Sequence, residues 1–146
     1  MAYITNADIE LRLGGDAYVQ LTDDDGGGVA DEEVVNEARL GAEGEVDSYL
    51  ARRFAVPVDV LAHPELKGVL ASLCLDLAEY RLRARRPPVA EDVVRRRQEA
   101  VAWLEAVAGG RIELPAVSAP AGPARGLSAG VVGNERILSR DELSDY

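Results

Sequence analysis

The sequence predicts a mainly α-helical protein: a small bundle of three long helices plus a short N-terminal helix, followed by an extended C-terminal arm. Three observations carry that expectation. Apolar residues make up 47% of the 146 but aromatics only 5%, so the core must be built from Leu, Val and Ala, as bundle cores are. Apolar positions recur at three- and four-residue intervals in three long segments. Prolines fall at the borders of those segments, where a helix can begin or must end.

Thr5, with Asp8 three residues later, forms a capping box in which Asp replaces the usual Glu. Ile9, Leu11 and Leu13 then give a first helix of about two turns, stopped by Gly14-Gly15. Residues 16–21 can add another turn, and Thr22 to Gly28, with three successive glycines, reads as a flexible loop. Asp31 opens the strongest periodic segment, with Val35, Ala38, Ala42, Val46, Tyr49, Leu50 and Phe54 on one face. Acid at its start (Asp31, Glu32, Glu33) and base at its end (Arg52, Arg53) match the helix dipole, and Pro57 ends it.

Pro64 sits where a missing N–H costs nothing, so it starts a third helix with Leu66, Val69, Leu70, Leu73, Leu77 and Tyr80 inward, stopped by Pro87-Pro88. A fourth helix spans about Ala90 to Ala108, with Val94, Val101, Leu104 and Val107 inward and Gly109-Gly110 closing it. The expected core is Val35, Val46, Tyr49, Leu70, Leu73, Leu77, Tyr80, Trp103 and Leu104. Arg111 to Leu114 has the pattern of a short strand.

The domain organisation follows. Residues 1–114 are the bundle, and 115–130, rich in Ala, Pro, Gly and Ser, are a flexible linker. Residues 131–146 regain apolar anchors and form a docking arm, in which Arg136, Ile137, Leu138, Arg140 and Leu143 are the contact residues. Fully extended, residues 115–146 reach on the order of 100 Å, enough to find a neighbouring subunit.

Charge and composition exclude several chemistries. The net charge of −10 is uneven: residues 1–50 carry −11, residues 51–100 carry +3 and residues 101–146 carry −2. The acidic first third repels phosphates and lipid head groups, and no apolar run approaches the ~18 residues that span a bilayer. The N-terminus has no leader-like pattern, so a reducing, aqueous compartment is expected.

The single cysteine, Cys74, lies in an apolar run and behaves as a buried hydrophobe, which leaves no disulfide or Cys-based metal site within one chain. His63 is the only histidine, so triads and His-based zinc sites are out of reach. The glycine pairs and triplet lack phosphate-loop spacing. A calcium loop at Asp23, Asp25 and Glu32 fails because Leu21 falls at the first ligand position. No catalytic, cofactor or metal residues are expected, and the chain reads as not an enzyme.

One basic patch stands out: Arg81, Arg83, Arg85, Arg86, Arg95, Arg96 and Arg97, around the turn between the third and fourth helices. It is either a solvated, salt-bridged bundle end, or a contact for DNA phosphates or for the acidic residues 16–47 of an adjacent copy. Opposite charge at two ends of the molecule would favour head-to-tail association and closed rings.

The order of motifs resembles a known family. These motifs are Tyr3-Ile4-Thr5 with Asp8, Leu21-Thr22-Asp23, the run from Glu45 to Phe54, Val56-Pro57-Val58, the run from Leu75 to Leu82, Ala102-Trp103-Leu104 with Gly110, and Arg136 to Leu143. Together they are similar to the small head–tail adaptor (neck, or head-completion) proteins of Mu-like tailed phages and prophages.

The resemblance implies a virion structural protein of the neck, present in the host cytoplasm during assembly. It implies a homo-oligomeric ring of about twelve copies between the portal protein and a tail or head-closure protein. DNA would pass through the lumen without specific binding, and no membrane or cofactor is involved. A tail-completion or head-closure layer protein is the nearest alternative, and a small nucleic-acid-binding regulator using the Arg81–Arg97 patch is the more distant one.

Overall fold

A computed structural model of the chain describes residues 2–114, 117 and 119. Five helices follow in order: α1 (Asn6–Leu13), α2 (Gly15–Thr22), α3 (Glu32–Leu50), α4 (Pro64–Ala84) and α5 (Glu91–Ala108). The fold is a helical bundle, and no strand occurs among the described residues. The expected linker falls largely, and the docking arm with Arg136, Ile137, Leu138, Arg140 and Leu143 wholly, outside those residues.

Helix α1 starts as the capping box requires: Thr5 Oγ1 accepts the Asp8 N–H at 3.2 Å, and Asp8 Oδ2 accepts the Thr5 N–H at 2.7 Å. The further turn expected over residues 16–21 is a helix of its own, α2. Gly14 caps α1 at φ +82°, a conformation that L side chains rarely adopt, so the chain turns there before α2 begins.

Helix α3 opens with Asp31 accepting the Glu33 N–H at 2.9 Å. It stops at Leu50, short of the expected Phe54. Residues 51–54 tighten into bonds from the Arg52 N–H to Tyr49 O and from the Arg53 N–H to Leu50 O, a three-residue winding common at helix ends. That winding tucks the Phe54 ring into the core.

Helix α4 is central and packs against each of the other four. It buries Leu66, Leu70, Leu73, Cys74, Leu77, Ala78 and Leu82, a stripe too wide for a helix with only one neighbour. Val69, expected inward, is 41% exposed and forms a groove wall instead.

The phase of α5 also differs from expectation. Val93, Ala100, Leu104 and Val107 are buried, while Val94 is half-buried and Val101 packs partly buried at the edge of the core. Valine stands at both 93 and 94, so periodicity alone could not fix the rotation. Tyr49 and Trp103 likewise cover the core's margin rather than its centre, and Tyr80 is half-buried.

Residues 111–114 do not pair as a strand. Arg53 Nη1 donates to Val107 O at 3.2 Å and to Ile112 O at 3.5 Å, while Nη2 donates to Glu113 Oε1 at 3.0 Å. That guanidinium takes up carbonyls at the end of α5 and just beyond it. Leu114 is buried there, and Val117 packs partly buried against the core.

Candidate functional site

The polar groups of the bundle gather in three places. The first joins α1, α4 and α5. Glu79 is 4% exposed and accepts from Arg83 Nε at 2.8 Å and Arg96 Nη1 at 3.0 Å, with Arg12 Nε at 3.3 Å. Asp76, one turn earlier, pairs with Arg12 and stands 3.8 Å from Arg96. Three guanidiniums around two carboxylates satisfy the charge that burial would otherwise penalise.

The second place ties the N-terminal segment to α3. Glu43 Oε1 accepts the N–H groups of Tyr3 at 2.7 Å and Ile4 at 3.1 Å, while Arg39 faces Oε2 at 3.5 Å. The Tyr3 hydroxyl donates to Asp47 Oδ1 at 2.6 Å and accepts the Val58 N–H at 2.8 Å. Burial, then the Asp47 hydrogen bond, push the Tyr3 phenol well up, and burial raises the Asp47 carboxyl above its usual range. The Cys74 thiol is pushed up chiefly by burial, so it stays a thiol rather than a nucleophilic thiolate at neutral pH. This network is suited to holding the chain's first residues down.

The third place is the predicted basic patch, and here each arginine meets an acid of its own chain. Arg81 Nη2 donates to Glu45 at 2.9 Å, and Arg97 lies 3.5 Å from Glu45 with its guanidinium 4.8 Å from the centroid of the Tyr80 ring. Arg85 donates to Asp24 at 2.6 Å and to Leu21 O at 2.7 Å, and Arg86 donates to Asp23 O at 3.0 Å. Arg83 and Arg96 belong to the Glu79 cluster, and Arg95 faces Glu99 at 3.8 Å.

The idea that acid and base occupy opposite ends is therefore corrected. Helix α4 returns beside α3, so the loop after α2 and the flank of α3 lie against the arginines of α4 and α5. Part of the acidic block and the patch neutralise one another within one chain.

The glycine loop is wound around one carboxylate. Asp23 accepts the N–H groups of Gly26 at 2.8 Å, Gly27 at 3.1 Å and Gly28 at 2.8 Å. These bonds, the one from Gly28 first, hold its carboxyl below the ordinary value. Gly26 and Gly28 take φ +73° and +74°, which is why glycine stands there. Among the described residues no three His, Cys, Asp or Glu side chains are grouped to hold a metal ion.

Sequence reasoning missed Glu43, Glu79, Asp76 and Arg12. The signal for Glu79 was a carboxylate on the apolar side of a helix, four residues after Leu75 and three before Leu82. Beyond these clusters, a groove of about 370 Å³ between α4 and α5 is lined by Val69, Leu73, Ala100 and Trp103.

A family model described as "Bacteriophage Mu, Gp36" matches residues 3–131. The match covers most of the chain, and the chain belongs to that family. No curated protein matches it.

Proposed function

We propose that this member of the Mu Gp36 family is a structural protein of the phage particle: a head–tail connector adaptor that sits between portal and tail. In this reading the helical body forms the wall of a ring of copies, DNA passes through the lumen, and the C-terminal residues dock on a neighbouring protein. No catalytic activity belongs to it.

Membership of a Mu-phage family over residues 3–131 is the observation that carries the reading. The chemistry of the body supports it. Its buried carboxylates, Glu79 and Glu43, are saturated by donors that join helices or anchor the N-terminal segment. The arginines that would have been the DNA contact are already paired with acids of the same chain, which lowers their net attraction for phosphates.

The test is genetic and visual. Disrupting the gene in a phage or prophage that carries it, then viewing the induced lysate by electron microscopy, is expected to give DNA-filled heads and free tails that are not joined. Normally joined infectious particles would overturn the reading. Tails that lack only their terminal layer would assign the protein to tail completion instead.

A further inference from the structure

We infer that the loop from Asp23 to Gly28 is an autoinhibitory strap: its Asp24 carboxylate occupies Arg85 and Arg86 in place of DNA phosphates, so that a duplex is gripped only by displacing it. The choice of duplex DNA as the polyanion rests on the proposed connector role. The masking contact itself stands on the geometry of this chain.

Asp24 engages two arginines at once. Its Oδ2 accepts from Arg85 Nη2 at 2.6 Å, and its Oδ1 lies 3.8 Å from Arg86 Nη2. A guanidinium takes carboxylate and phosphate oxygens with the same donor fork, so Asp24 sits where a phosphate would bind. The other partners of the two arginines are neutral carbonyls, Leu21 O for Arg85 and Asp23 O for Arg86. Among the described residues, Asp24 is the one carboxylate that offsets their charge.

The strap keeps its own shape but is held to the body lightly. Asp23 gathers the N–H groups of Gly26, Gly27 and Gly28, bonds that do not involve Asp24 or the arginines. Residues 24–29 are all exposed, and a Cβ at any of the three glycines would meet nothing within 4 Å. Among the described hydrogen bonds and ion pairs, those of Asp24 are the ones that tie residues 24–29 to α4 and its C-cap. The Arg86 and Asp24 side chains are 52% and 44% exposed. Ion pairs so open to water are weak and screened by salt, so a stronger anion can take the place of this carboxylate.

A duplex is that stronger anion. A free phosphate competes poorly, because the tether keeps Asp24 at a high effective concentration beside the arginines. DNA carries one charge per ~1.7 Å of axis, so it meets Arg85 and Arg86 together and releases counterions as it does so. When the duplex moves on, Asp24 returns. The result is a surface on which DNA slides without sticking.

The test measures binding of a short fluorescent duplex of mixed sequence to the purified full chain across a range of salt. Asp24→Asn is expected to tighten binding about tenfold at low salt and to steepen its salt dependence by about two released counterions. Asp25→Asn removes the same charge from the next residue, which touches no arginine among the described ion pairs, and should leave binding nearly unchanged. Arg85→Gln with Arg86→Gln in the Asp24→Asn chain should abolish the gain.

No gain with Asp24→Asn, an equal gain with Asp25→Asn, or a gain that survives loss of both arginines would overturn the inference. The two loop variants change one exposed side chain each, so their comparison decides the matter even if the arginine variants fail to fold. Because the readout is DNA binding by purified protein, it fails separately from the particle-joining defect that tests the proposed function.

Discussion

Glu79 and Asp23 each accept hydrogen bonds from two or three donors, yet the two sites do opposite kinds of work. Glu79 is sealed inside, and two of its partners, Arg12 and Arg96, come from other helices. Asp23 is half-buried at the head of a surface loop, and its three partners are the N–H groups three to five residues ahead. A donor count therefore says little. Burial decides what a lost partner costs, and sequence separation decides whether the loss loosens the tertiary structure or one loop.

The largest expected effect comes from breaking the buried side of this contrast. Glu79→Gln leaves Arg12, Arg83 and Arg96 facing one another without their shared anion, and should lower unfolding free energy by about 3 kcal/mol in urea titration. A loss near zero would mean that solvent reaches the node and the contrast is false. Glu43→Ala comes next, because it strands the N–H groups of Tyr3 and Ile4. It should cost about 2 kcal/mol, with hydrogen exchange rising first at residues 3 and 4.

Asp47 sharpens the contrast through pH. Burial raises its folded pKa above the unfolded value, so its contribution is fully present below the unfolded carboxyl range and is lost as pH rises through the folded pKa. At neutral pH the charged carboxylate costs stability. Asp47→Asn, which can still accept from Tyr3, is expected to melt slightly above the parent at pH 7, and the two curves should converge in acid.

The smallest global effect belongs to Asp23. Its folded pKa is depressed by the loop N–H groups, so its contribution is present above the unfolded carboxyl range and is lost as pH falls through the depressed value. Asp23→Ala should leave the melting temperature nearly unchanged while the Gly26 and Gly28 amides lose protection at neutral pH. In the parent the same amides should lose protection only in acid. A cooperative drop in melting temperature would show the loop to be part of the core after all.

Much of the helical fold was legible because its signals are local. The Thr5–Asp8 box, Asp31 at the start of α3, Pro64 at the start of α4 and Gly110, at φ +77° after α5, act within a turn, and each does in three dimensions what its chemistry predicts. Where local signals were degenerate the reading slipped. Consecutive valines left the rotation of α5 open, and a run of residues able to form a helix extended α3 four residues too far. The basic patch was visible as a cluster, but nothing in the order of residues said that Glu45 and Asp24 would face it.

By itself the sequence determined which segments are helical, what their core is made of, and that acid and base are segregated along the chain, because these depend on residue type and short spacing. Only the tertiary structure decided which charges meet. The antiparallel return of α4 beside α3 brings Arg81 and Arg97 to Glu45, and the packing of α1 on α4 brings Arg12 to Asp76 and Glu79. Pairings across such separations are fixed by how helices dock, and docking is set by the shape of the whole apolar surface rather than by any local run.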